Sequence, residues 1–260
     1  MKRKVIWFCL GMIFTSLIAT PQPADEIEAM DLVDKVADRI ASFPDLKHWK
    51  ASVLSKSYRM DKNWQPQKET DVAKIVTIED KIRTEKILRA TETEKGVQKD
   101  VTEEYEKKAR KEEEKIRKQL AEGKDIDKGG RDRRRELSRD ELFPFAPEQQ
   151  VKYDYRLLEG SVIGNRPVFV LETKARIRTD DYYEGKYFID QDTFDVIRAE
   201  IGLADNPGPV KTLEMTFNFQ ILPEGYLFVK STKIRIHIGL IIKNIRMEAE
   251  ETYHDIEILE

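Results

Sequence analysis

Leu213, Met215, Phe217, Phe219 and Ile221 occupy every second position of one run, with Glu214, Thr216, Asn218 and Gln220 between them. A helix would scatter those apolar side chains around its circumference, whereas an extended strand places all of them on one face. The alternation recurs on both sides of this run. Val151, Tyr153, Tyr155 and Leu157 alternate with polar residues, and segments at 168–177, 185–190, 193–201, 226–238, 245–249 and 253–258 follow. Gly160, Gly164-Asn165, Gln191-Asp192, Asn206-Pro207-Gly208-Pro209 and Pro223-Glu224-Gly225 separate them with turn chemistry. Such short connections join neighbouring strands antiparallel, so a meander of about seven strands with one apolar face is expected.

Upstream the period-two signal is weaker. Residues 49–60, containing Val53, and 73–88, containing Ile75, Ile78, Ile82 and Ile87, read as two further strands that would extend the sheet. Before them Ile27, Met30, Val33, Ala37 and Ile40 recur at helical spacing over 25–41. Pro21 and Pro23 precede this stretch, Pro44 follows it, acids fill its first turn and Arg39 lies near its end. The helix is suited to covering the sheet; a membrane-surface helix would carry a basic polar face, and this one is acidic. The expected class is α+β, an antiparallel sheet with an N-terminal helix.

The charge is dense yet nearly cancels: 46 basic against 49 acidic residues give −3, although 37% of residues are charged. Net charge therefore gives no support for binding nucleic acid. Much of the charge has one address, since 24 of the 35 residues at 102–136 are Lys, Arg, Asp or Glu. As far as Glu122 the apolar line is thin (Tyr105, Ala109, Ile116, Leu120), which suits an exposed helix held by i,i+4 ion pairs. Gly123, Gly129 and Gly130 then break it, and Arg131, Arg133, Arg134 and Arg135 form a basic knot. The stretch at about 101–136 reads as a charged helical insertion. It is either a solvated excursion or a docking arm whose arginines meet an acidic envelope protein or an anionic membrane surface.

At the other end, Lys2, Arg3 and Lys4 precede an uncharged apolar stretch at 5–19. A basic segment followed by about 15 apolar residues has the form of a secretory signal peptide and is short for a membrane span. An exported, periplasmic chain cut after Ala19 is expected, with residues 25–260 as its domain; an uncleaved anchor is the alternative. Cys9 is the single cysteine and lies within this stretch, so the mature chain would have neither a disulfide nor thiolate chemistry.

Constellations for catalysis are weak. His48, His237 and His254 stand far apart, with no partner at metal-binding spacing, and the Asp190-x-Asp192 pattern fits a turn better than a calcium loop. Neither a nucleophile elbow, a P-loop nor a dinucleotide fingerprint occurs, so an enzyme, a cofactor and a metal are not expected.

One hairpin resembles a known family. Tyr183-Glu184-Gly185-Lys186-Tyr187-Phe188-Ile189-Asp190, a turn at Gln191-Asp192, Thr193, and then Ile197-Arg198-Ala199-Glu200 are similar to a recurring hairpin of the LolA/LolB superfamily of periplasmic lipoprotein carriers. Gly164-Asn165-Arg166-Pro167-Val168-Phe169-Val170-Leu171 resembles the strand before it, and a helix followed by a long meander is that family's order of elements. The resemblance implies a curved, half-open sheet, a half-barrel, whose concave face is covered by helices and holds acyl chains. In this sequence Leu213, Met215, Phe217, Phe219, Phe228, Ile234, Ile236 and Ile238 are the candidate lining, each set sharing one parity. Such a trough would bind apolar ligands by burial, whereas the same parity also suits an ordinary filled core. The implied function is non-catalytic binding or carriage of a lipid or lipoprotein acyl group. A periplasmic sensor or protein-interaction module, with the insertion as docking arm, is the alternative.

Overall fold

Alternation becomes strand almost wherever it occurs. The computed structural model describes residues 27–79, 82–122, 139–240 and 244–259. In chain order these form α1 (Ala29–Ser42), β1 (Trp49–Met60), β2 (Pro66–Glu79), β3 (Ile82–Glu94), β4 (Val97–Asp100), α2 (Thr102–Ala121), α3 (Arg139–Leu142) and α4 (Pro147–Gln150). The meander follows as β5 (Tyr153–Ile163), β6 (Arg166–Ala175), β7 (Tyr183–Asp190), β8 (Val196–Leu203), β9 (Val210–Ile221), β10 (Leu227–Gly239) and β11 (Asn244–Ile258). All eleven strands belong to one open antiparallel sheet, in the order β4-β3-β2-β1-β11-β10-β9-β8-β7-β6-β5. The expected α+β half-barrel with its N-terminal helix is what the chain adopts.

Three local expectations change. The single strand expected over 73–88 is parts of two strands, β2 and β3, and β4 extends the sheet further. Ile75 and Ile78 differ in parity, and no Gly, Pro or Asn stands between the two strands to announce a turn. The charged helix does not stand wholly clear of the domain. Tyr105 and Ala109 of α2 pack with Val101 over Val72, Ile87 and Ala90, while the outer face carries the Glu104–Lys108 and Glu113–Arg117 pairs. Gly123, Gly129, Gly130 and the arginine knot lie outside the described residues.

Register fixes the two faces. Val72, Ser55, Glu251, Thr232, Phe217, Ala199, Tyr187, Leu171 and Leu157 are consecutive cross-strand partners and make one row across nine strands. Paired residues point to one side, so α1, over Phe217, and α2, over Val72, cover the same face. On the other face charges pair between strands, as in Arg156–Glu172, Lys56–Asp71 and Lys233–Glu248. Gly185 of β7 approaches β8 so closely that a Cβ there would lie 2.1 Å from the Glu200 carbonyl oxygen.

The end of the β9–β10 hairpin departs from this order. β9 pairs with β8 only as far as Asn218, and β10 pairs with β11 only from Ser231 onward. Residues 219–229 therefore form a two-stranded tip without a third strand. Its alternating side chains divide between two cores. Phe219, Leu227 and Val229 join the α1 core, whereas Leu222 and Phe228 pack with Trp49, Ala51, Val53, Val76 and Ile78. Phe228 meets Trp49 and Tyr253 edge-on, with ring centroids 5.0 and 5.7 Å away. Removing that ring leaves a cavity on the inner side of β1. Phe228→Ala is expected to cost about 3–4 kcal/mol in urea unfolding, and Leu54→Ala, an exposed change on β1, less than about 0.5 kcal/mol.

Candidate functional site

The covered face of the sheet is the candidate site, and it changes character along its width. At the β5–β9 end it is filled. Leu32, Val33, Val36 and Ile40 of α1 lie buried on Met215, Phe217, Phe219, Tyr187, Ile189 and Ala199. Two anchors hold the helix there. Arg39 pairs with Asp195 at 2.6 Å, next to a turn in which the Asp190 carboxylate accepts the N–H groups of Asp192 and Thr193. Arg139 donates to the carbonyls of Phe43 at 2.9 Å and Pro44 at 3.0 Å just beyond the helix C-terminus, a place where cations and donors are stabilising. The Asp190-x-Asp192 pattern thus performs turn chemistry.

Behind Arg139 the chain re-enters the core. Leu142, Phe143, Pro144 and Phe145 are all buried. The Tyr187 hydroxyl donates to the Leu142 carbonyl at 2.9 Å, and the Tyr155 hydroxyl donates to that of Pro144. Burial pushes both phenols above their ordinary pKa, so they act as neutral donors. Sequence reasoning passed over this plug. Its signal was the run Leu142-Phe143-Pro144-Phe145, apolar and aromatic immediately after a charged arm.

Toward β10 and β11 the face is apolar but open. Leu213 and Ile234 rest partly buried against the α1 core; Ile236 and Ile238 are half-buried and belong to no buried cluster. Their partners on β11 are Met247, 40% exposed, and the half-buried Ile245. The eight lining candidates therefore divide. Met215, Phe217 and Phe219 are filled core, Leu213, Ile234, Ile236 and Ile238 border an uncovered strip, and Phe228 faces the opposite side of the hairpin tip. A bulge after Val229 shifts the register, which is why parity counted along β10 does not reach Phe228.

At the β1–β3 end the same face is charged. Lys74, only 9% exposed in its side chain, lies 3.1 Å from Glu85 and 2.8 Å from Glu251, and Arg83 reaches Glu85 at 3.0 Å. A cavity of about 240 Å³ opens beside them under α2, lined among others by Ser55, Ser57, Val72 and Tyr105. Burial pushes the Glu85 and Glu251 carboxyls up, but the neighbouring charges of Lys74 and Arg83 outweigh it, and both titrate below the ordinary glutamate range. No sequence spacing announces this cluster, because Lys74 and Glu251 stand 177 residues apart.

Among the described residues, no group of three or more His, Cys, Asp or Glu side chains could hold a metal ion. His237 sits on β10 with its Nε2 3.3 Å from Asn244 Oδ1. Among the same residues no helix is long and apolar enough to cross a membrane. The partner candidates Arg131, Arg133, Arg134 and Arg135 lie outside the described residues.

No family model and no curated protein matches the chain. Several solved structures are similar to it over most of its length. One, described as an outer membrane lipoprotein-sorting protein domain from Vibrio parahaemolyticus, is 14% identical with a TM-score of 0.41, over 90% of this chain and 95% of that one. A DUF1329 family protein from Desulfovibrio piger is 10% identical with a TM-score of 0.41, over 89% and 94%. A LolA superfamily protein from Nitrosomonas europaea is 13% identical with a TM-score of 0.33, over 90% and 94%. At these identities and TM-scores the roles of individual residues rest on the site's own geometry.

The charged end sets a dependence on pH. Glu85 and Glu251 hold protons less readily in the fold than at the unfolded value of 4.5. Their contribution is complete above about pH 4.5 and is lost as pH falls through the lower folded values. Lys74→Met leaves two carboxylates sharing Arg83. The expected cost is about 3 kcal/mol at pH 7, shrinking below pH 4.5 as the carboxyls protonate, measured by urea unfolding at a series of pH values.

Proposed function

We propose that residues 25–260 form an exported, periplasmic binding unit that holds an acyl chain of a lipid or lipoprotein, without catalysis. The observation that supports this is the uncovered strip of Leu213, Ile234, Ile236, Ile238, Ile245 and Met247 beside a filled core. Acyl binding needs contiguous apolar surface that the fold itself leaves open, and each methylene buried there contributes about 0.8 kcal/mol. The buried Met215, Phe217 and Phe219 act as the wall of the site and not as its lining. The apolar segment at 5–19, preceded by three cations, supports the exported location.

The mature chain should bind a fluorescent fatty-acid analogue, and lipid should co-purify with it and be visible by mass spectrometry. Ile236→Glu places a charge in the middle of the strip at a half-buried position. It is expected to weaken the analogue by about tenfold or more while unfolding stability changes by less than about 1 kcal/mol. A wild-type protein that neither binds the analogue nor carries lipid would sink the proposal.

A further inference from the structure

The apolar strip ends in a notch of about 470 Å³ at the end of β1, the turn that follows it and the start of β11. Its lining holds three cations, Arg59, Lys62 and Arg246, against one acid, Asp61. None of the three cations makes an ion pair with a described residue, although Lys56 on β1 and Lys233 and Arg235 on the neighbouring β10 are all matched to acids. Asp61 is itself engaged: its carboxylate accepts the backbone N–H groups of Asn63 at 2.7 Å and Gln65 at 2.9 Å, which holds the turn that bears Lys62. The notch therefore has surplus positive charge and donors without acceptors.

The notch and the strip are joined residue by residue. Ile245 lines the notch and is the cross-strand partner of Ile238, and Arg59 lines it and is the partner of Met247. We infer that the notch is the headgroup subsite of an amphiphile with an anionic, phosphate-bearing head. Arg59, on the strip's side of the sheet, holds the phosphate with Lys62 of the adjoining turn, while Arg246, the partner of Met60 and so on the other face, adds positive charge at the notch; the acyl chain runs from Ile245 along Ile238, Ile236 and Met247. Arginine presents a planar fork that suits phosphate oxygens, and lysine adds a point charge at the rim. The inference rests on the acyl reading above and names the class of lipid that the strip would take.

The test uses the mature chain and lysolipids with one acyl chain, below their critical micelle concentrations. Lysophosphatidylglycerol should bind about tenfold tighter than the uncharged, phosphate-free monoacylglycerol of the same chain length, and the preference should fall with added salt. The double variant Arg59→Gln, Lys62→Gln should lose the preference and keep its affinity for the monoacylglycerol. Lys62→Glu, a change in an exposed turn, should lower the preference by itself. Equal affinities in the wild type, or a preference that survives both variants, overturns the subsite. Inorganic phosphate that competes as well as the lysolipid would make the notch a free-anion site and also overturns it. The monoacylglycerol also separates the two ideas. Its failure to bind removes the acyl reading, and its binding without any headgroup preference removes the notch alone.

Discussion

The pairing of β1 with β11 is the contact on which the rest of the sheet depends. Every other neighbour in the sheet is also a neighbour in sequence, so each could form as a local hairpin or meander. β1–β11 brings together residues about 200 positions apart, from Trp49–Ile258 to Met60–Arg246. Without it the chain would hold a four-strand piece and a seven-strand piece, each with an unpaired edge. Closing so long a loop costs entropy before any contact offsets it. The offset lies on the inner side of the join, where Trp49, Val53, Phe228 and Tyr253 pack together.

That junction also accounts for the graded character of the covered face. The seven-strand piece brings the surface that α1 and the 142–145 plug fill, and the shorter piece brings Ser55, Ser57, Lys74, Arg83 and Glu85, whose charged cluster Glu251 of β11 completes across the join. The hairpin tip at 219–229 stands between the two cores and uses one parity for each. The open apolar strip is what remains beyond the reach of both fillings. Its exposure follows from the placement of α1 and α2 over the ends of the face, and not from any special composition of β10.

How far this was legible differs by residue. Met215 and Phe217 had the right face from alternation alone, because a strand's side-chain period is fixed by its backbone. The Asp190 turn and the α1 stripe of Val33, Val36 and Ile40 were equally local and equally readable. Phe228 was assigned the wrong company because one extra residue at a bulge reverses parity, and bulges leave little trace in sequence. The β2–β3 turn had no glycine or proline to mark it. The charged cluster and the basic notch were invisible for another reason: their members come from β1, β2, β3 and β11, and only register brings them together.

The sequence by itself determined an α+β chain with a helix first, a charged helix in the middle and an antiparallel meander after it, since periods of 3.6 and 2 are properties of the backbone that apolar residues simply report. It also located the dense charge, 24 charged residues of it in the insertion at 102–136, while the structure paired Arg156 with Glu172 and Lys56 with Asp71 across strands on the outer face. The tertiary structure alone decided which apolar residues became core and which stayed open, because that depends on what packs above them. Ile236 and Phe217 have the same pattern around them, yet α1 covers Phe217 and leaves Ile236 half in solvent. It likewise decided that Arg59, Lys62 and Arg246 border one notch, since cations from separate strands meet only once β1 has found β11.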